Sequence, residues 1–211
     1  MRIDPAGWLF IGPTLAMSLA AGALGGLYAV PLVVLAAFFL FFFRDPERRG
    51  ASGAHVVLSP ADGRVLVAGT ADDDAAPPGR WLQISVFLSL MDVHVNRVPV
   101  SGRITQVSYS PGRCLPAFRR DASTANERCE IWIDHEGQPV VARQIVGILA
   151  RRVVCRVETG AMVAAGDRYG VMKFGSRMDV FVPIGSEIRV NVGDTVRGGE
   201  SVVAMLHSRT T

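Results

Sequence analysis

The residues best suited to chemistry are a glycine–serine pair near the C-terminus. Gly175-Ser176 lies in the apolar stretch Gly170–Pro183, and Lys173, the only lysine of the chain, comes just before it. Glycine adopts backbone angles that are closed to other residues, and a serine hydroxyl can attack the carbonyl of the residue before it. The pair is therefore a candidate for a reaction of the chain on itself, and the plainer interpretation is a turn between two strands.

Two further residues offer groups for proton transfer. Asp62 precedes a glycine, and His94 lies in the segment Met91–Pro99. In an extended segment every second residue shares a face, so His94 would lie on one polar face with Asp92 and Asn96. Histidine titrates near neutral pH, which makes His94 a candidate acid or base. An ordinary Asp-Gly turn and a surface histidine are the alternatives without chemistry.

The positive charge is modest and consists almost wholly of arginine. The chain has 22 Lys and Arg against 19 Asp and Glu, a formal net charge of +3. A nucleic-acid-binding surface needs a denser basic patch, so we expect an anionic head group or a membrane surface as the partner. The arginines of the segment Arg113–Arg128 are candidates for binding a phosphate or a carboxylate, with a solvated loop as the alternative. The candidates are Arg119, Arg120 and Arg128.

Neither the cysteines nor an acidic run predicts a metal site. The three cysteines, Cys114, Cys129 and Cys155, are odd in number and widely spaced, so free thiols are expected. The run Asp72–Asp74 stands near a Pro-Pro pair and is expected to be a solvated turn. We therefore predict no metal.

A long uncharged stretch predicts a membrane-associated helical hairpin. No charged residue occurs from Ala6 to Phe43, and this stretch is too long for one crossing of about 20 residues. Gly25-Gly26 lies near its middle, so we predict helices over Trp8–Leu24 and Leu27–Phe43. Cations directly after the stretch place the rest of the chain on the cytoplasmic side of the cell membrane. These cations are Arg44, Arg48 and Arg49.

The chain beyond residue 50 shows the pattern of a mainly β domain. Short runs rich in Val and Ile are bounded by Gly, Pro, Asp or Ser, which is typical of strands. Turns in Val192–Gly199 resemble those of biotinyl and lipoyl hammerhead domains. We predict a sandwich of short strands over 51–211 with a hammerhead-like C-terminal part, after an N-terminal segment 1–50. The predicted strands include His55–Leu58, Arg64–Ala68, Leu82–Leu88, Ile104–Tyr109, Glu130–Ile133, Val140–Leu149 and Arg152–Glu158.

Five segments, taken in order, resemble the phosphatidylserine decarboxylases of the short bacterial and archaeal type. The resemblance covers nearly the whole chain, and it is specific through the joint order of the segments. Asn126-Glu127-Arg128 is similar as well. The five segments are the apolar hairpin, Phe42–Arg48, Ser59–Gly63, Met91–Pro99 and Phe174–Val180.

The resemblance implies a proenzyme that cuts itself between Gly175 and Ser176. In this family the serine hydroxyl attacks the glycine carbonyl, and the serine becomes a pyruvoyl group at the start of a new chain. The products would be a β chain, 1–175, and an α chain, 176–211, joined in a heterodimer or a larger assembly. The pyruvoyl ketone would form a Schiff base with phosphatidylserine, and decarboxylation would give phosphatidylethanolamine and CO2.

The resemblance also implies helper residues. Asp62 and His94 match two positions of the Asp–His–Ser set that drives self-cleavage in longer members. His94 is therefore expected to do acid/base work and Asp62 to orient it. Two positions depart from the longer members: Arg97 stands where a second histidine is expected, and Arg177 where they have threonine.

A different function remains open at the same stretch. Met172-Lys173 resembles the pair on which biotin is attached in carrier domains, so the protein could be a membrane-tethered carrier or adaptor modified at Lys173. The following Phe174-Gly175-Ser176 departs from that pattern. A carrier also leaves the segments around Asp62 and His94 unexplained.

Overall fold

The computed structural model describes residues 2–119, 121–148 and 153–207. The chain divides into two units, Met1–Glu47 and Arg48–Thr211. Arg120, and the predicted strand ends at Leu149 and Arg152, lie outside the described residues.

The first unit is a pair of apolar helices. Helices α1 (Trp8–Leu24) and α2 (Gly26–Phe42) are separated by Gly25, whose φ of 150° is readily adopted only by glycine. The short strands β1 (Arg2–Ile3) and β2 (Arg44–Asp45) pair and bring the two ends of the unit together. The helical stretch Pro5–Leu24 has the length and composition to cross a membrane, and α2 is a shorter apolar helix. The predicted pair of apolar helices is confirmed.

The second unit is built from short strands with one four-residue helix, α3 (Ala122–Ala125), among the described residues. The strands are β3 (Val56–Leu58), β4 (Gly63–Thr70), β5 (Trp81–Leu88), β6 (Val95–Arg97), β7 (Gly102–Ser110), β8 (Arg128–His135), β9 (Gln138–Ile145), β10 (Val154–Cys155), β11 (Met162–Val163), β12 (Arg168–Val171), β13 (Ser176–Pro183), β14 (Glu187–Ile188), β15 (Thr195–Val196) and β16 (Val202–Met205).

The strands of this unit form one large curled sheet and two small sheets. The large sheet has the order β11-β7-β8-β9-β13-β5-β4-β15, and all its neighbours are antiparallel. The small sheets have the orders β10-β12-β6 and β14-β16-β3. The prediction of a mainly β fold is therefore confirmed. Strand β13, which begins at Ser176, lies in the interior of the large sheet between β9 and β5.

Strand β13 is buried on both faces. Its alternate residues point to opposite sides of the sheet, as in any strand. One side packs into the main apolar core through Met178, Val180 and Val182. The other side packs through Phe181 against a smaller cluster that includes Trp81 and Val141. A central strand held on both faces gives its first residue, Ser176, a fixed position.

Two predicted strands are shorter than the sequence pattern indicates. The run that begins at Val140 leaves the strand after Ile145, and Val146 instead donates its N–H to the carbonyl of Glu127. Of the described residues in the later run, 153–158, only Val154 and Cys155 belong to a strand. Apolar runs rich in Val indicate which residues are buried, but they do not indicate where the hydrogen bonds between paired strands end.

Candidate active site at the Gly175–Ser176 step

Gly175-Ser176 lies where a tight turn enters β13. Phe174 and Gly175 both have positive φ, 56° and 69°. The conformation is ordinary for glycine, but for a bulky residue such as Phe174 it costs about 1–2 kcal/mol. Ser176 then pairs with Leu88 at the end of β5. The pair is therefore part of a turn that leads into a strand, as the plainer interpretation predicted. The same position is the one at which self-cleavage is expected.

The hydroxyl of Ser176 is buried without a partner. The side chain is fully buried, and among the described residues its Oγ has no hydrogen-bond partner. An unsatisfied buried hydroxyl costs about 1–3 kcal/mol of desolvation. The hydroxyl of Ser176 therefore contributes little to the stability of the fold.

His94 contacts the turn through its outer ring nitrogen. The N–H of Gly175 donates to Nε2 of His94 at 3.4 Å, and Nδ1 lies 2.9 Å from the carbonyl oxygen of Asp92. A carbonyl only accepts, so Nδ1 carries the ring proton and Nε2 is the acceptor nitrogen of the ring. This tautomer is the one that a general base needs, and its lone pair faces the turn before Ser176.

A short turn orients His94. The Oδ2 atom of Asp92 accepts hydrogen bonds from the N–H of Ser89 at 2.8 Å and from its hydroxyl at 2.7 Å. The N–H of Asp92 donates back to the carbonyl of Ser89 at 3.1 Å. This turn follows directly on Leu88, the pairing partner of Ser176. One continuous segment therefore pairs with the serine and presents the histidine.

Asp62 lies in a polar cluster that joins distant parts of the chain. Its carboxylate accepts from Nη2 of Arg48 at 2.7 Å and from the N–H of Gly198 at 2.7 Å. Arg48 also contacts Glu200 at 2.9 Å. Burial raises the pKa of Asp62, and the bonds from Gly198 and Arg48 oppose that shift. The orientation of His94 by Asp62 stays a prediction.

Arg97, at the position of the missing second histidine, is a buried side chain of β6. Its Nη1 donates to the carbonyl of Gly166 at 2.9 Å. The residue before it on the same strand, Asn96, accepts at its Oδ1 a hydrogen bond from Nε2 of Gln144 at 2.8 Å. These bonds fix the strand that follows His94.

The arginines proposed for substrate binding already have polar partners. Arg119 forms two bonds to Asp121, at 2.9 and 2.8 Å, on a half-exposed surface. The hydrogen bond from Arg119 lowers the pKa of Asp121. Arg128 donates to the carbonyl of Thr124 at 2.6 Å. Arg120 lies outside the described residues. Binding of an anion by Arg119 would require exchange with Asp121.

An apolar cavity that the sequence did not predict opens beside the turn. Its volume is about 350 Å³, within the range of small-molecule sites. Large apolar side chains at its wall are exposed, including Phe118 at 63% and Ile148 at 59%. The feature of the sequence that could have indicated this cavity is Phe118, an apolar residue within the arginine-rich segment Arg113–Arg128. The cavity is lined by Phe87, Leu90, Pro116, Ala117, Phe118, Ile148, Phe174 and Gly175.

Gly147 is a second residue that the sequence did not predict for the site. A Cβ atom placed on Gly147 would overlap the carbonyl oxygen of Gly175, the atom that an attack by Ser176 would make negative. The main chain at 147 therefore lies directly against the candidate scissile carbonyl. Only the absence of a side chain permits this approach.

Comparison with known proteins identifies the family of the chain. The family model described as phosphatidylserine decarboxylase matches residues 35–204. Proteins named phosphatidylserine decarboxylase proenzyme are 41% identical over 203 residues in Nitrosomonas europaea and 42% identical over 202 residues in Burkholderia multivorans. Each alignment spans 95% of this chain and 94% of the relative. A relative of the same name in Prosthecochloris aestuarii is 40% identical over 85% of this chain and 82% of its own length. The chain belongs to the phosphatidylserine decarboxylase family.

Proposed function

We propose that this protein cuts itself between Gly175 and Ser176 and then decarboxylates phosphatidylserine to phosphatidylethanolamine and CO2. The observation that supports this most directly is the contact of His94 Nε2 with a turn that ends in a buried, unpaired serine hydroxyl. The names of the relatives support the substrate, and the word proenzyme in those names supports processing.

In the cleavage step, His94 acts as the base. As Nε2 takes the hydroxyl proton, Ser176 Oγ attacks the carbonyl carbon of Gly175 and the amide becomes an ester. Loss of the Cα proton of residue 176 then expels the Gly175 carboxylate by β-elimination. Water converts the remaining dehydroalanine to a pyruvoyl group and ammonia. The products are a β chain, 1–175, and an α chain, 176–211, which together form the enzyme.

The residues around position 176 suit a pyruvoyl group. Ser176 is fully buried, its Oγ has no bond to lose within the described residues, and β13 fixes its backbone. The pyruvoyl ketone supplies an electron sink for the charge left by loss of CO2. Nε2 of His94, the ring nitrogen beside this position, takes up a proton and delivers it to the carbon that has lost CO2.

The surroundings of the site suit a lipid. The cavity at Phe174 and Gly175 offers apolar walls for the part of the substrate next to the head group. Nearby arginines supply cations for its phosphate, with Arg119 as the exposed candidate. The helix pair α1–α2 anchors the protein to the cell membrane, and Arg44, Arg48 and Arg49 favour the cytoplasmic side for the chain that follows.

The test is the covalent state of the purified full-length protein. We expect two fragments, 1–175 and 176–211, on a denaturing gel and by intact mass, and a ketone at the start of the smaller one. Ser176→Ala should give one intact chain without decarboxylase activity. Ser186→Ala is the matched control, because Ser186 is also buried with an unpaired hydroxyl. It should be cut normally.

Two results would overturn the proposal. A Ser176→Ala chain that is still cut would remove Ser176 from the reaction. An uncut wild-type chain with added mass at Lys173 would instead favour the carrier function.

A further inference from the structure

Two cysteine thiols that the proposed mechanism does not use contact each other inside the second unit. Cys129 in β8 and Cys155 in β10 are both free, and their side chains are hydrogen-bonded. Cys129 is 4% exposed, whereas Cys155 is partly exposed. The third cysteine, Cys114, is exposed and lies on a different segment. The pair therefore has one accessible member and one protected member.

The strand register explains why these thiols meet. Cys129 is directly opposite Gln144 in the β8–β9 ladder, so both side chains lie on the same face of the sheet. The amide of Gln144 donates to the carbonyl of Val154, the residue before Cys155. It also packs against Gly170, the pairing partner of Cys155 in β12. Both cysteines are thus placed beside the same glutamine by the backbone pairing.

The environment makes one thiol a nucleophile. The hydrogen bond from Cys129 lowers the pKa of Cys155 to about 7, while the same contact and burial raise the pKa of Cys129. A thiolate is the reactive form in thiol–disulfide exchange, and a pKa close to the ambient pH is favourable for attack. The accessible cysteine is therefore also the reactive one.

We propose that Cys129 and Cys155 form a reversible disulfide, with a small-molecule disulfide of the glutathione type as the oxidant. The Cys155 thiolate attacks one glutathione sulfur, and a glutathione thiolate leaves with the electron pair of the broken S–S bond. Cys129, on losing its proton to solvent, attacks Cys155 and expels the second glutathione. Two protein thiols are oxidised and one glutathione disulfide is reduced to two thiols.

The disulfide would act on the strand that follows His94. Two sulfurs in hydrogen-bond contact must close to about 2.05 Å in a disulfide, which draws β10 towards β8. The amide of Gln144, the residue opposite Cys129, donates both to Val154 O, at 3.3 Å, and to Asn96 Oδ1, at 2.8 Å. Asn96 is two residues from His94. Oxidation is therefore expected to disturb the histidine that contacts Gly175.

The experiment is titration of reduced full-length protein with glutathione disulfide, followed by alkylation, intact mass and peptide mapping. Wild type should lose two hydrogens through a Cys129–Cys155 cross-link that dithiothreitol reverses. Cys155→Ser should form no cross-link, and Cys129→Ser should stop with one glutathione on Cys155. Cys114→Ser is the control and should cross-link like wild type.

The mass result tests the disulfide alone and does not depend on the proposed function. A second measurement rests on the proposed function: the decarboxylation rate should fall on oxidation and recover on reduction. Wild-type protein in which only Cys114 reacts, or in which Cys155 keeps a glutathione without a cross-link, would overturn the disulfide. This wild-type mapping decides the matter even if a serine variant does not fold. A cross-link without any change in rate would overturn its link to His94.

Discussion

Neighbouring residues of β13 differ in whether their buried polar groups have hydrogen-bond partners. Ser176 points to the main core with an unpaired hydroxyl among the described residues. The next residue, Arg177, points to the other face, and its guanidinium bonds Asp179 at 2.6 and 2.9 Å and Ser85 at 3.1 Å. Gln83 adds a bond to Asp179 at 3.2 Å. All these groups are buried, yet one side of the strand is satisfied and the other is not.

Under the proposed function, the difference separates a polar group that stabilises the strand from one that reacts. A buried charge needs partners, and Arg177 and Asp179 have them, so this face holds the strand in place. A buried hydroxyl without partners gains nothing for folding, and it leaves the oxygen free for attack on the carbonyl before it. On this argument, changes on the Ser176 face should affect cleavage, and changes on the Arg177 face should affect stability.

After Ser176→Ala, which removes the nucleophile, the largest effect on cleavage is expected from His94→Gln. Loss of a general base costs about 10²- to 10⁴-fold in rate. The variant keeps a polar side chain of similar size, so the fold should be retained. The measurement is the fraction of uncut chain over time after synthesis, read on a denaturing gel.

His135→Gln is the matched control for this change. His135 is also buried, and its ring nitrogens lie against the carbonyl oxygens of Ser101 and Ala54. These partners belong to other segments than those that contact His94. It should be cut at the wild-type rate once folded. Equal slowing in both variants would mean that a general packing defect, and not the loss of a base, limits cleavage.

The next largest effect is expected from Gly147→Ala. The new methyl group would overlap the carbonyl oxygen of Gly175, so the turn must shift. Misplacement of a reacting group by about 1 Å costs on the order of 10²-fold in rate. The same time course measures it. Gly69→Ala, where an added Cβ meets no atom within 4 Å, is the control and should cut normally. Normal cutting of Gly147→Ala would show that the carbonyl tolerates displacement.

The sequence predicted the fold class because its signals are local. The apolar stretch without charge specified α1 and α2 to within a few residues, and short Val- and Ile-rich runs specified most of the long strands. Strand ends were less accurate, since the end of β9 depends on a bond between Val146 and Glu127 that no local pattern indicates. Pairing order depends on contacts distant in the chain and was not predicted.

The sequence predicted the site residues whose side chains would carry the chemistry. It missed those that matter only because of where the fold places them. Gly175, Ser176 and His94 were singled out, and the structure brings His94 to the turn. The roles of Gly147 and of the main-chain oxygen of Asp92 rest on backbone proximity, which the sequence does not display. The apolar cavity is assembled from four separate segments and has no single motif.

The smallest effect on cleavage, and the largest on stability, is expected from Arg177→Met. Removing one partner of a buried ion pair leaves the charge of Asp179 uncompensated and costs about 3–5 kcal/mol of unfolding free energy. The measurement is denaturant unfolding in a Ser176→Ala background, which keeps the chain intact. In the otherwise wild-type chain, the molecules that fold should still be cut at close to the normal rate.

A second substitution tests whether charge is the cause. Adding Asp179→Asn to Arg177→Met removes the uncompensated carboxylate, while Gln83 and Ser85 remain to bond the new amide. Much of the lost stability should therefore return, because a buried neutral amide costs far less than a buried charge. If Arg177→Met instead stopped cleavage at unchanged stability, the two faces of β13 would not differ as argued. Arg177 would then belong to the reaction, since its removal would act on the bond beside it and not on the strand that holds it.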